Sequence, residues 1–142
     1  MPIALPLAPP AGLAIVQNEV LPLLIEDAPF WEIHPNTDVD VARAQPVYTA
    51  GLPDVLDSAI LSRARLTSWR YLILAGDAVV ASADLAPGES DPTDVTFAAV
   101  EQGAFALNLP AVLSFAEGLP AAGERDYELR LLEIPELYLF AV

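Results

Sequence analysis

The chain has 142 residues; 54% are hydrophobic, 20 are acidic and six are basic, for a formal net charge of −14. It contains no cysteine, so a disulfide framework, a zinc–thiolate site and a cysteine nucleophile are excluded. Every basic residue is arginine, which also excludes a lysine Schiff base and a lysine-dependent phosphate loop.

Residues 1–10 hold Pro2, Pro6, Pro9 and Pro10 and read as an extended, proline-rich arm. This uncharged start lacks the positive n-region of a secretion signal. Between residues 12 and 27, Ile15, Val16, Val20, Leu23 and Leu24 recur near helical spacing. Pro22 kinks or ends that helix, so a helix followed by a short strand satisfies the same pattern. Residues 28–50, with Pro29, Pro35 and Pro46, show no sustained periodicity. They read as a long irregular segment, a place where function often resides.

A helix is expected over 52–63, where Leu52, Val55, Leu56, Ala59 and Ile60 make one apolar stripe. Pro53 suits its first turn, Asp54 and Asp57 its positive end, and Arg63 and Arg65 its negative end. A hairpin is expected over 69–85, because Gly76-Asp77 suits a two-residue type II′ turn. That register sets Ala75 opposite Ala78, Ile73 opposite Val80 and Tyr71 opposite Ser82. Both faces are mostly apolar and call for cover on both sides, or on one side by a partner chain. Asp91-Pro92 reads as an N-cap and first helical proline, opening a helix over 92–117 that Asn108 and Pro110 interrupt, or else two short helices. Residues 127–142 read as a second hairpin turning at Ile134-Pro135-Glu136. The expected fold is a single α+β domain over 1–142. Its mainly antiparallel sheet is built from two hairpins (69–85 and 127–142), with helices (52–63 and 92–117) packed on it.

Two groups of residues have the chemistry of a ligand or partner site. His34, the only histidine, has Glu32, Asp38 and Asp40 within six residues. Such a set suits acid–base work or a hard cation, but the spacing matches no metal motif and no cofactor is expected. Arg63, Arg65 and Arg70 place half the positive charge within eight residues. Their forks suit a carboxylate or phosphate, and Trp69 and Tyr71 beside Arg70 add a stacking surface. The plainer reading has Arg63 and Arg65 complementing a helix end while Arg70 pairs with an acid. No serine lies in a G-x-S-x-G or S-x-x-K pattern, and the glycines are dispersed.

The charge opposes nucleic acid and anionic membrane surfaces. The apolar stretch Phe97–Ala116 carries Glu101, Asn108 and Pro110, a poor composition for crossing lipid. Mean hydropathy is nevertheless +0.44, more apolar residue than one small core readily hides. The expectation is a cytoplasmic, non-catalytic acidic interaction module, adaptor- or immunity-protein-like, which forms a homo-oligomer or binds a protein partner. The alternative is a small-molecule-binding domain or modest enzyme with its pocket between sheet and helices.

Overall fold

A computed structural model of the chain describes residues 3–4, 6–42, 44–55, 60–102, 104–118, 127–137 and 139–141. The first half runs β1 (Ile3–Ala4), α1 (Pro10–Ile15), a π-helical turn (Val16–Val20), α2 (Leu21–Glu26), β2 (Val39–Val41) and β3 (Gln45–Thr49). Then follow α3 (Leu52–Val55), α4 (Ile60–Arg63), β4 (Arg65–Ala75), β5 (Ala78–Pro87) and β6 (Val95–Glu101). The last elements are α5 (Ala104–Glu117), β7 (Tyr127–Glu128), β8 (Leu131–Ile134) and β9 (Leu139–Ala141). The fold is mixed α+β around a mostly antiparallel sheet in the order β6-β5-β4-β3-β8-β9, with β2 alongside β4. Among the described residues only β3 and β8 run parallel in it, while β1 and β7 form a separate parallel pair.

The segment 10–26 is helical throughout, with no strand after Pro22. The Leu21 N–H donates to the Val16 carbonyl five residues back, which widens the turn. Pro22 has no N–H to offer, and its ring needs room beside the carbonyl four residues before it. The widened turn supplies that room. Val16, Val20 and Leu24 are buried at intervals of four, so one stripe of this helix faces the sheet. Gly12 is needed for that approach: a Cβ there would overlap Tyr71 Oη and press on Leu85 Cδ1.

Residues 28–50, read from sequence as irregular, contain β2 and β3. Both lie against the same side of β4: Val39–Val41 pair with Ile73–Ala75, and Gln45–Thr49 with Arg65–Arg70. The Ala42 N–H donates to the Leu72 carbonyl between them at 2.8 Å, so they act as one interrupted strand. Gln45, Pro46 and Val47 are all buried, which erases the alternation that marks a half-exposed strand. Pro46 is tolerated near the start of β3, before the β8 ladder begins at Val47.

β4 and β5 join through Gly76-Asp77. Gly76 has φ +62° and Asp77 has no positive φ, the pattern of a type II′ turn. The register near the turn sets Ala75 opposite Ala78, then shifts by one residue. Ile73 lies opposite Ala81, not Val80, and Tyr71 opposite Ala83, not Ser82. Val80 is the extra residue of a β-bulge. The bulge lets consecutive Val80 and Ala81 both enter one apolar cluster, where strict alternation would send one of them to the other face.

The predicted helix over 92–117 is corrected in its first half. Asp91 does not cap a helix. Its Oδ1 accepts from the Thr93 N–H at 3.0 Å and the Thr93 hydroxyl at 2.6 Å, closing a local turn. After it Val95–Glu101 is a strand, consistent with β-branched and aromatic Val95, Thr96, Phe97 and Val100. Helix begins only at Ala104 and continues through Pro110. The predicted helix over 52–63 is described as α3 and α4; Leu56, Asp57 and Ala59 lie outside the described residues. The predicted second hairpin is also redrawn. Tyr127 and Glu128 pair with β1, while β8 pairs antiparallel with β9 and parallel with β3. Tyr138 and Val142 lie outside the described residues.

Two apolar clusters occupy the two faces of the sheet. Val16, Val20 and Leu24 join Trp69, Tyr71, Ile73, Ala83 and Leu85 in one. Leu109 of α5 joins Val47, Leu72 and Leu131 in the other. Among the described residues, no helix is long and apolar enough to cross a membrane.

Candidate functional site

The period of two along β4 separates residues that adjoin in sequence. Trp69 and Tyr71 point into the larger apolar cluster, whereas Arg70 points to the opposite face. Trp69 and Tyr71 therefore offer no stacking surface to a ligand held by Arg70. Tyr71 is 3% exposed, and burial pushes its phenol above the ordinary value.

Arg70 is the centre of a buried ion-pair network. Its Nε donates to Asp84 Oδ1 at 2.9 Å and its Nη2 to Asp84 Oδ2 at 2.8 Å, a bidentate fork across β4 and β5. Nη2 also donates to Glu133 Oε1 of β8 at 2.8 Å. Its side chain is 4% exposed, against 15% for Asp84 and 20% for Glu133. Burial alone would lower the guanidinium's pKa, but the hydrogen bonds and charges of Asp84 and Glu133 outweigh it and raise it. Arg70 thus stays cationic and is neutralised by carboxylates on two other strands. Gln45 stands opposite Arg70 on β3, with its Oε1 buried and lacking a hydrogen-bond partner among the described residues. Arg70 is a cross-strand tie and is too enclosed to clamp a diffusing ligand.

Arg63 and Arg65 lie elsewhere, on an open cleft of about 530 Å³ lined with Thr49, Gly51 and Asp54. The turn before α3 positions the acid: the Gly51 N–H donates to Asp54 Oδ2 at 3.1 Å, and the Asp54 N–H returns to the Gly51 carbonyl at 3.0 Å. Asp54 Oδ1 lies 3.8 Å from Arg63 Nη1. Thr49 Oγ1 is 2.7 Å from Thr67 Oγ1.

His34, Asp38 and Asp40 are exposed on the segment between α2 and β3. Backbone roles account for two of them. Asp40 Oδ1 accepts from the Val41 N–H at 2.7 Å, and the Asp38 carbonyl accepts from the Gly76 N–H at 3.0 Å. Glu32 and Asn36 take positive φ in this loop, at 58° and 64°. Among the described residues, no group of three histidine or carboxylate side chains converges to hold a metal ion.

Sequence reading missed Asp84, Glu133 and Gln45. A usable signal was Asp84 itself, a lone acid inside the otherwise uncharged strand 78–87. A charge in a strand with two apolar neighbouring faces calls for a buried partner.

The raised Tyr71 phenol sets a pH dependence. The folded chain keeps its proton above pH about 10, where an unfolded chain releases it. The folded state then binds more protons, so stability falls as pH rises through that range and levels off once folded Tyr71 ionises. Urea midpoints measured from about pH 8 to pH 11 should therefore fall more steeply for the native chain than for Tyr71→Phe. Parallel curves would show that Tyr71 has no part in alkaline unfolding.

The chain matches no protein-family model, no curated protein and no solved structure.

Proposed function

We propose that the protein is a non-catalytic, acidic interaction module, acting as a single unit in the cytoplasm, and that its N-terminal helical layer docks on a basic partner protein. The observation that carries this reading is the exposure of Leu23, Ile25 and Phe30 at 58%, 57% and 62% on or just after α2. Leu24, between the first two, is buried to 1%, so the helix is fixed to the sheet by one stripe and leaves large apolar side chains on both flanks.

Exposed acids Glu19, Glu26, Asp27 and Glu32 neighbour these side chains along the chain, and no arginine or lysine precedes Arg43. A second copy would bring the same negative surface and be repelled. A partner with basic residues around an apolar patch gains both steering and burial. This favours a heterologous partner over the homo-oligomer that composition alone allows.

The test uses a synthetic amphipathic peptide of lysine and leucine as probe, titrated by calorimetry. A triple variant, Leu23→Ser, Ile25→Ser and Phe30→Ser, keeps every charge. It should bind at least about tenfold more weakly, which corresponds to about 1.4 kcal/mol. A control pair, Leu61→Ser and Phe115→Ser, removes exposed apolar groups elsewhere and should bind as the native chain does. Equal binding by all three proteins would reduce the interaction to charge alone and end the assignment to this layer.

A further inference from the structure

We propose that the cleft between the end of β3, α3, α4 and the start of β4 binds a small oxyanion, a phosphate or carboxylate group, with Arg65 as the principal cation and Arg63 beside it. This site is separate from the α2 surface and does not depend on it.

Cations are scarce in this chain. Twenty acids face six arginines, so an arginine on this surface has an abundance of possible carboxylate partners. Arg70 and Arg130 are both held, at 2.8 Å by Asp84 and Glu133 and at 2.9 Å by Glu128. The Arg65 side chain makes no hydrogen bond or ion pair among the described residues, and it lines the cleft. Among the described residues, the one carboxylate lining the cleft is Asp54, which is turned to its own loop with Oδ2 taken by the Gly51 N–H. Its other oxygen makes a long ion pair with Arg63 at 3.8 Å. An anion in the cleft therefore meets a fork of guanidinium donors at Arg65 that no carboxylate among the described residues occupies.

Thr49 adds a neutral hydroxyl to the lining. Its hydroxyl and that of Thr67 are 2.7 Å apart, while Thr67 is 3.4 Å from the Val47 carbonyl. Thr67 directs its one proton at the Val47 carbonyl, so Thr49 brings a hydroxyl oxygen to the lining and not a free O–H donor. At about 530 Å³ the space suits a small ligand rather than a bare ion alone. Asp54 supplies selectivity, since it repels anions that lie on its side and favours those reached from Arg65.

The experiment is a two-arm titration of the full chain followed by amide and arginine Nε–H resonances, with ionic strength held constant by sodium chloride. One arm adds inorganic phosphate and the other adds succinate. The expected result is saturable shifts at Arg63, Arg65 and Gly51 in at least one arm. The arm that saturates at lower concentration identifies phosphoryl or carboxylate chemistry. Arg65→Gln should weaken the saturating arm at least about tenfold, and Arg63→Gln should weaken it less. Both residues are exposed, and resonance dispersion in the same spectra shows whether each variant is folded. Shifts that stay linear in both arms, or that saturate unchanged in folded Arg65→Gln, would overturn the proposal.

Discussion

Arg70→Met is expected to destabilise the protein by about 3 kcal/mol, read from urea midpoints at neutral pH. The cause is the pair of carboxylates left behind more than the loss of the hydrogen bonds. Asp84 and Glu133 both bond Arg70 Nη2 at 2.8 Å, so two anions of different strands remain around one vacated centre. Both keep some access to water, which places the cost at the lower end of the range for breaking a buried pair. Added salt should recover part of the loss in the variant by screening their repulsion. The triple change Arg70→Met, Asp84→Asn and Glu133→Gln should be more stable than Arg70→Met alone. If the single variant lost less than about 0.5 kcal/mol, Arg70 would not be the tie across β4, β5 and β8 that its geometry describes.

Leu109→Ala is expected to cost about 3 kcal/mol, within the usual span for emptying a fully buried leucine site. Among the described residues, Leu109 is the residue of α5 in the smaller apolar cluster, packed with Val47, Leu72 and Leu131. Its loss leaves a void between helix and sheet, and α5 already forgoes one internal hydrogen bond at Pro110. Amide exchange should therefore accelerate across 104–117 before it does in β4 and β5. A loss below about 1 kcal/mol with unchanged exchange would mean that other contacts hold the helix.

The contrast between Arg70 and its sequence neighbours shows where local reading stops. Alternation along a strand already separates Arg70 from Trp69 and Tyr71, so a strand over 69–75 by itself rules out the aromatic part of the arginine site. Its partner was not. Counting back from a plain two-residue turn pairs Arg70 with Ala83. The extra residue at Val80 advances the count by one and brings Asp84 opposite it. A single bulge thus turns an arginine facing alanine into a buried bidentate ion pair. Glu133 enters from 63 residues away along β8, a contact with no local signature.

Residues 92–101 illustrate a different limit. An apolar run of this length fits helix and strand alike, and Asp-Pro supports a helix start as readily as a turn. The edge of β5 decided the matter, since Val95–Glu101 completes hydrogen bonds that β5 would otherwise leave open. The same holds for β3, buried throughout residues 45–47 and therefore lacking the alternation that would announce it.

What the sequence determined by itself rests on chemistry that acts locally or sums over the whole chain. The glycine turn at Gly76, the helical stripe of Val16, Val20 and Leu24, the mixed α+β class and the acidic surface all belong to that group. Tertiary structure alone decided which strand neighbours which, where the bulges fall, that Arg65 opens to a cleft while Arg70 is enclosed, and which apolar side chains stay outside. Each of these depends on pairing between distant segments, where register is set by total burial and hydrogen-bond satisfaction and not by the residues on either side.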